Sequence, residues 1–527
     1  MRSYYAHLET AMGKTVEAIS PKPTFRSSAI FPVFHQKDIS SRILFMGYWM
    51  LKRNIQSIGA VVTLRSLAGA LLSRMNFQIQ EAKTYRLEVK EMLEKAGIQT
   101  DKPFEGSMEV EFYSNSNMVF PFPATVINYY GPAFSTVVHT AQRVYNDYDD
   151  LQRNSQTAVP ESGFNIYADE DHEPFLGLIN GPVHVKNSKI RMQFYNHEGK
   201  VLSYVKELGD LAPYQTNILY PARETDLKGF LMGKVGACKV NFDVQWIFPR
   251  LVVGNLQKSL PALSITHSYY DCTKAETDSD YWKQPPAEWY TASLMIPVTI
   301  EGSHFTNVYF YPIYSPSIFT IDVEFYDKNG TLLGKKTNIV QVKSPDDKFI
   351  VLHFKEICRD LKISPLPELG ARIIAKTLEG SRLPARVKLG LDMGVEGPQL
   401  PCNICTNLQP FNPPLEAKPK SFKWAPFLAA QPHSSVWLMN SSPHVNHTQT
   451  ADVDLTFFRE KDATTLNRTL HIPPQGFTVI YPDQDAELAA FFENQIGWCT
   501  ATTNNPYLTT YYFSENASGV VGGDHGF

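Results

Sequence analysis

The sequence predicts an all-β protein with minor helical content, built as four tandem, duplicated β-sandwich units. The first observation is a hairpin pattern at 321–335, IDVEFYDKNGTLLGK, where apolar and polar residues alternate up to an Asp-Lys-Asn-Gly turn. The second is its recurrence: the turn positions Gly69, Gly199, Gly330 and Asp462 lie about 130 residues apart, which indicates duplication of a domain-sized unit. The third is composition, because 36 Pro and 12% aromatic residues favour short strands joined by rigid loops.

The first unit is predicted at 41–150, after a polar N-terminal arm at 1–40. Alternating apolar residues predict its strands, and apolar residues at helical spacing predict one short helix. The predicted elements are, in order, a strand at 43–51, the hairpin at Gly69, a helix at 85–96 and strands at 107–113 and 124–130.

The same order of elements recurs along the rest of the chain. The predicted boundaries are 160–272 for the second unit, 289–396 for the third and 420–527 for the fourth. In the third unit a helical segment at 349–361 follows the hairpin. Residues 397–419 contain six prolines and are predicted to form an extended, exposed linker between the third and fourth units.

Each unit contains six or seven predicted strands in roughly 110 to 130 residues, which is the size and rhythm of a β-sandwich. In this rhythm the chain resembles proteins built of tandem immunoglobulin-like domains. The resemblance is architectural and implies a fold without implying an activity. The pattern leaves open whether the four units form a rod or close into a compact body.

Charge and targeting signals narrow the classes of function. Lys and Arg number 49 against 53 Asp and Glu, for a net charge of −4 without long blocks of one sign, so we expect no nucleic-acid binding. The N-terminus lacks the pattern of a signal peptide, and no apolar run is long enough for a membrane helix. The default expectations are therefore a cytoplasmic location and no membrane insertion. Six scattered Cys predict mostly buried thiols.

Histidines close three of the four units and form the candidate metal site. His139 ends the first unit, His267 the second and His525 the fourth, with Asp271 and Asp524 close by in sequence. Imidazole and carboxylate groups would bind a divalent metal if these unit ends converged. The alternative, which we favour from the sequence, is that each histidine is an inherited strand-end residue in its own local environment. The third unit lacks the histidine.

Aromatic residues at the start of the third unit form the candidate ligand-binding site. Tyr281, Trp282, Trp289 and Tyr290 are flanked by charged residues and prolines, so burial is not their default. Exposed aromatic rings on sandwich loops stack against sugars or partner proteins. A second pattern, Cys402-Asn-Ile-Cys405, has the spacing of a zinc or redox pair, but a structural zinc site needs a second such pair, and the sequence contains none.

The common enzyme signatures are missing, so the sequence predicts a non-enzymatic binding or structural protein. It would bind a glycan or a protein partner through loops and grooves between units, without a cofactor. The alternative is a metal-assisted enzyme of surface-polysaccharide metabolism that uses the unit-terminal histidines. The oligomeric state does not follow from the sequence.

Overall fold

The computed structural model confirms the predicted fold class, since the protein consists of repeated antiparallel β-sandwich units. It describes residues 24–118, 123–139, 142–145, 161–270, 281–282, 285–311, 319–342, 349–377, 383–384, 387–427 and 434–526. Across these ranges, no helix has the length and apolar character needed to cross a membrane.

The first unit contains eight strands arranged in two sheets. The strands are β1 (Phe25–His35), β2 (Ser40–Met46), β3 (Ile58–Ser66), β4 (Leu71–Ile79), β5 (Thr84–Glu88), β6 (Phe104–Ser114), β7 (Thr125–Gly131) and β8 (Phe134–His139). The sheet orders are β1-β6-β3-β4 and β5-β2-β7-β8. Helix α1 (Tyr48–Arg53) follows β2, and helix α2 (Val89–Lys95) follows β5. Alternation along β3 sends Val62 and Leu64 into the core between the sheets.

The second unit repeats this arrangement. Its elements are β9 (Arg143–Val144), β10 (Glu161–Ile166), β11 (His172–Ile179), β12 (Val185–Tyr195), β13 (Val201–Leu211), β14 (Thr216–Leu219), a 3₁₀ turn (Pro221–Arg223), α3 (Leu227–Leu231), β15 (Gly236–Phe242), β16 (Ile247–Phe248), β17 (Val252–Gln257), β18 (Ala262–His267) and β19 (Tyr269–Tyr270). The sheet orders are β13-β12-β15-β10-β19 and β14-β11-β17-β18, while β9 pairs with β16.

The third unit has the same order of strands. Its elements are β20 (Tyr281–Trp282), β21 (Ala292–Val298), β22 (His304–Phe310), β23 (Phe319–Tyr326), β24 (Leu332–Val342), β25 (Ile350–His353), α4 (Phe354–Asp360), β26 (Leu369–Thr377), β27 (Leu383–Pro384), β28 (Lys388–Val395), β29 (Cys402–Asn407) and β30 (Gln409–Pro410). The sheet orders are β24-β23-β26-β21-β30 and β25-β22-β28-β29, and β20 pairs with β27.

The fourth unit completes the chain. After helix α5 (Pro413–Glu416) its elements are β31 (Ser421–Phe427), β32 (Ser435–Met439), β33 (Ala451–Arg459), β34 (Thr465–Ile472), β35 (Phe477–Ile480), a 3₁₀ turn (Pro482–Gln484), α6 (Ala486–Phe492), β36 (Gly497–Thr503), β37 (Thr509–Glu515) and β38 (Val521–His525). The sheet orders are β31-β36-β33-β34 and β35-β32-β37-β38. All four units therefore share one topology, in which the eighth strand lies at a sheet edge beside the seventh.

The four predicted turn positions lie at the same place in their units, between the third and fourth strands. Gly69, Gly199 and Gly330 have φ values of 83°, 77° and 80°, a backbone conformation that glycine adopts without strain. In the fourth unit Asp462 occupies this turn, and its carboxylate accepts a hydrogen bond from the backbone N–H of Thr464 at 2.9 Å. The prediction that these four positions occupy the same hairpin turn is confirmed.

Two of these turns also pack against the next unit. The Leu67 carbonyl in the first turn accepts a hydrogen bond from the backbone N–H of Thr216 in the second unit at 2.8 Å. In the same way, the Lys328 carbonyl in the third turn accepts one from the N–H of Phe477 in the fourth unit at 3.2 Å. The first and second units are therefore joined as the third and fourth are.

The predicted arm and the predicted linker each contain a strand that the sequence did not indicate. Residues 25–35 of the arm form β1, whose inner residues are buried because the strand pairs with β6. Residues 402–407 of the linker form β29, a buried edge strand paired with β28. The prolines that suggested a linker flank this strand without interrupting it, which is the arrangement an edge strand tolerates.

The two helix predictions are correct in type but begin too early. In both places a short fifth strand precedes the helix: β5 before α2 in the first unit, and β25 before α4 in the third. The four or five residues of each strand are too few for their period of two to stand out from the helical pattern that follows.

The eighth strands of all four units meet at the centre of the molecule. Strand β8 contacts β18 and β38, and β29 contacts the same two strands. Hydrogen bonds tie neighbours together: Ser264 Oγ donates to the Pro401 carbonyl at 2.6 Å, and Ser514 Oγ donates to the Ser135 carbonyl at 3.0 Å. The first and fourth units also share one continuous hydrophobic core. The units thus close into a compact body and do not form a rod.

Candidate metal centre

Three histidines come together where the eighth strands meet. His139, His267 and His525 are each the last residue of such a strand, in β8, β18 and β38. The ring centroid of His139 lies 4.6 Å from that of His267 and 4.4 Å from that of His525, and the other two centroids are 6.1 Å apart. The expectation that each histidine occupies a separate environment is therefore wrong, because the strands that carry them pack against one another.

Asp524 completes the group. One potential ligand atom from each of the three histidines and from Asp524 lies within 4.8 Å of all the others. Zinc binds imidazole nitrogen at about 2.1 Å in tetrahedral geometry, so two ligand atoms on one ion lie about 3.4 Å apart. The observed limit of 4.8 Å is wider than this, so the side chains must move closer together to hold an ion.

Each imidazole is oriented by an oxygen acceptor at Nδ1. Nδ1 of His139 lies 2.7 Å from Asp524 Oδ2. Nδ1 of His267 lies 3.1 Å from the Ser268 carbonyl, and Nδ1 of His525 lies 3.2 Å from the Gly526 carbonyl. Carbonyl oxygens and an ionised carboxylate only accept, so with Asp524 ionised each Nδ1 carries the proton and Nε2 is the nitrogen that would bind a metal ion. Metal-binding histidines in proteins are held by the same type of contact.

His267 supplies independent evidence that a ligand belongs at this position. Its side chain is completely buried, and its Nε2 has no hydrogen-bond partner among the residues that the structure describes. A buried polar atom left without a partner costs free energy, so such atoms point to a bound group.

The local electrostatics keep the imidazoles in their ligand form. Burial lowers the pKa of His139 and His267 well below the ordinary value, and the charge of Arg250 lowers both further. Burial lowers the pKa of His525 to about 4, so all three rings are neutral at pH 7. Burial also raises the pKa of Asp524 to about 7, against the N–H groups that favour its ionised form. A divalent cation nearby would likewise favour the ionised carboxylate.

The third unit contributes no imidazole to this cluster. Its eighth strand, β29, ends at Asn407 instead of histidine. The predicted ligand Asp271 lies outside the described residues. Cys402 and Cys405 are buried, and their odd spacing in β29 sends them to opposite faces of the strand. Cys402 lies in the third unit's core, and Cys405 belongs to a separate cluster, so they cannot share a ligand.

The predicted aromatic site is described in part. Trp289 is half-buried, with ring centroids 4.3 Å from Phe411 and 4.9 Å from His444. The Tyr290 ring lies 4.9 Å from the guanidinium carbon of Arg372. The Trp289 ring therefore packs between the third and fourth units, whereas this contact of the Tyr290 ring lies within the third unit. Tyr281 and Trp282 form β20, and their side chains lie outside the described residues, so ligand binding by this group stays a prediction.

Sequence reasoning missed Asp392, a buried carboxyl group between the second and third units. Asp392 lies on β28 and is completely buried. Its Oδ2 accepts hydrogen bonds from Tyr167 Oη and Asn165 Nδ2, both at 2.7 Å. Burial raises the pKa of Asp392 to about 7, against these hydrogen bonds. The sequence signal is weak, because one Asp within an alternating strand usually faces solvent.

We expect Asp392 to make stability depend on pH. Its pKa is higher in the folded than in the unfolded protein, so its contribution is complete below about pH 4 and is lost as the pH rises through about 7. Asp392→Asn keeps an oxygen acceptor without a charge. Between pH 5 and pH 8 the unchanged protein should lose about 2 to 3 kcal/mol relative to this variant, measured by chemical denaturation at both pH values. Equal pH slopes would contradict the assignment.

Comparison with known proteins identifies no family. No family model and no curated protein matches the chain. Among solved structures, it is similar to the tetra-tandem repeat in the extending region of a large adhesion protein, at 9% identity over 89% of this chain and 91% of that chain, with a TM-score of 0.09.

The chain is also similar to a β-glucuronidase of Bacteroides uniformis, at 9% identity over 48% of this chain and 27% of that chain, with a TM-score of 0.11. A β-glucuronidase from glycoside hydrolase family 2 has 9% identity, with 46% of this chain and 24% of that chain covered and a TM-score of 0.11. Similarity at this level does not extend to function.

Proposed function

We propose that this protein binds one divalent transition-metal ion of the zinc class at its centre, where the first, second and fourth units meet. The Nε2 atoms of His139, His267 and His525 are the ligands in this proposal. The observation that carries it is the convergence of these side chains and Asp524 within 4.8 Å, from strands far apart in the sequence. Neutral imidazoles in a buried setting suit zinc, cobalt or nickel better than calcium or magnesium.

A bound ion would stabilise the fold whether or not the protein is an enzyme. Three units each contribute one ligand, so the bound ion links the first and fourth units to the second unit. A ligand that binds only the folded state stabilises it by about 2.7 kcal/mol when its free concentration is 100 times its dissociation constant.

Metal removal and return test this proposal. Protein stripped with a chelator and then titrated with Zn²⁺ or Co²⁺ should bind one ion per chain, and its melting temperature should rise with the ion concentration. Absence of stoichiometric binding, together with an unchanged melting temperature in excess metal, would refute the proposal. Ca²⁺ serves as the control ion, because its preference for oxygen ligands predicts no comparable effect.

A metal-assisted enzyme is the second candidate, favoured by the position of Asp524. The Asp524 carboxylate accepts hydrogen bonds from both the backbone N–H and Nδ1 of His139 at 2.7 Å, and from the backbone N–H of His525 at 2.8 Å. It is therefore placed to orient His139, and the metal would have three protein ligands. Catalytic zinc sites have three protein ligands and one open position, whereas structural sites are closed by four.

Asp524→Asn distinguishes an orienting role from a ligand role. We expect this variant to bind one ion per chain with an affinity lower by about 10 to 100-fold, as is usual when a group that orients a ligand is changed. The visible spectrum of bound Co²⁺ should keep the form given by three imidazoles. If binding is abolished or the Co²⁺ spectrum changes form, Asp524 is itself a ligand and the site is closed.

The proposal also includes a glycan or protein partner, as the sequence predicts. For the enzyme alternative, it includes a role in surface-polysaccharide metabolism. A glycan array probed with metal-loaded and metal-free protein would test both, since a metal-assisted site predicts binding that depends on the ion.

A further inference from the structure

A cluster of cationic side chains lies beside the histidines. Arg250 follows β16, and its guanidinium carbon lies 4.9 Å from the ring centroid of Tyr269. The Tyr269 ring in turn lies 4.7 Å from the ring of His267, and the two ring planes are inclined at 70°. The Nζ atom of Lys388, a buried residue at the start of β28, lies 5.2 Å from the same Tyr269 ring. Two cations from two units therefore flank one aromatic ring next to the metal ligands.

Arg250 is not neutralised within the described part of the chain. No Asp or Glu there lies within ion-pair distance of its guanidinium, and its Nε is buried without a hydrogen-bond partner. Its charge nevertheless acts on the cluster, because it lowers the pKa of His139, His267 and His525. A guanidinium held at a histidine cluster without a carboxylate partner has hydrogen-bond donors to offer a ligand.

Charge and access both favour an anion at this position. A divalent ion on three neutral imidazoles retains its charge of +2, which Asp524 compensates by one unit at most. Arg250 and Lys388 add two further positive charges near the site. His525 and Arg250 are the half-buried members of the group, whereas His139 and His267 are fully buried, so a ligand would approach from the side of Arg250.

We propose that the open position on the metal binds an oxyanion ligand, a carboxylate or a phosphate group, whose second oxygen accepts hydrogen bonds from the guanidinium of Arg250. This inference rests on the proposed metal site and specifies its ligand class. Planar, bidentate recognition of carboxylate and phosphate is the role to which the arginine fork is best suited. Lys388, whose Nζ atom lies 5.2 Å from the Tyr269 ring, contributes further positive charge.

The test uses Co²⁺-loaded full-length protein, whose visible absorption reports changes at the metal. Inorganic phosphate and acetate are titrated separately, and the stronger of the two identifies the preferred oxyanion. Acetamide is the neutral control, because it has nearly the shape of acetate without its charge. We expect a saturable spectral change with at least one anion and none with acetamide at the same concentration.

Arg250 is then tested directly. Arg250→Gln should weaken anion binding by about 10-fold or more, which corresponds to about 1.4 kcal/mol, and Arg250→Lys should lie between it and the unchanged protein. Arg191→Gln, at an exposed arginine of the second unit, should have no effect.

The outcomes separate the two proposals. Stoichiometric Co²⁺ binding without any anion-dependent change, or with equal responses to acetate and acetamide, overturns the oxyanion site and leaves the metal site standing. Equal anion affinity in Arg250→Gln also overturns it. Failure to bind Co²⁺ overturns the metal site and the oxyanion site together. If Arg250→Gln does not fold, the comparison of acetate with acetamide on the unchanged protein still decides the question.

Discussion

Replacing His267 with glutamine is expected to lower the affinity of the central site for Zn²⁺ by more than about 100-fold, because the loss of a ligand costs more than the loss of a group that orients one. The metal-free fold should change little. His267 Nε2 has no hydrogen-bond partner among the described residues, and the glutamine amide can still donate to the Ser268 carbonyl that now accepts from Nδ1. Zn²⁺ titration followed by metal content and by melting temperature measures both effects.

A matched control is available on the surface of the fourth unit. The side chain of His471 is 69% exposed and pairs with Asp452, well apart from the central strands. His471→Gln should bind Zn²⁺ as the unchanged protein does. A His267→Gln variant that retains full affinity would show that the convergence of the histidines is a packing feature without a role in metal binding.

The second large effect is expected at the junction of the third and fourth units. Gly330 has a φ of 80°, and a Cβ atom at this position would lie 2.1 Å from the carbonyl oxygen of Pro474 in the fourth unit. Gly330→Ala should therefore combine backbone strain of about 1 to 2 kcal/mol with a steric cost of about 1 to 3 kcal/mol. The hydrogen bond from Phe477 N–H to the Lys328 carbonyl should weaken as the units move apart.

A control variant at Gly302 distinguishes the backbone strain from the steric cost. It has a φ of 57°, and a Cβ atom there would meet nothing within 4 Å. Gly302→Ala should show the backbone strain alone. Denaturant midpoints of both variants, with hydrogen exchange at the Phe477 amide, measure the difference. Equal destabilisation, with unchanged exchange at Phe477, would mean that the turn does not support the junction.

The hairpins and the fold class could be predicted because their signals are local. Alternation of apolar residues and a turn of the Asp-Lys-Asn-Gly type specify a hairpin within about 15 residues, independently of the rest of the chain. The glycines at positions 69, 199 and 330 then show the repeat, because a positive φ selects glycine wherever the same turn recurs. The short fifth strands and β29 were missed because four to six residues among helical or proline-rich neighbours carry too weak a period.

The candidate site, like the fold, could be predicted from the sequence only in part. The sequence showed that three units end on histidine, which is a local property of each eighth strand. It could not show that these strands meet, because β8 and β38 pack together through strand edges and small side chains. Such contacts produce no periodic pattern of apolar residues in the sequence. His139 and Asp524 lie 385 residues apart in the chain yet approach to 2.7 Å.

The sequence by itself thus determined the fold class, the hairpin turns and the repeat of this protein. The tertiary structure alone decided that the units close into a ring, because closure depends on complementary surfaces of all four units at once. That closure brings three imidazoles and one carboxylate to a common centre, with Arg250 and Lys388 near the adjacent Tyr269 ring, and so places the residues that we propose bind a metal ion and its oxyanion ligand.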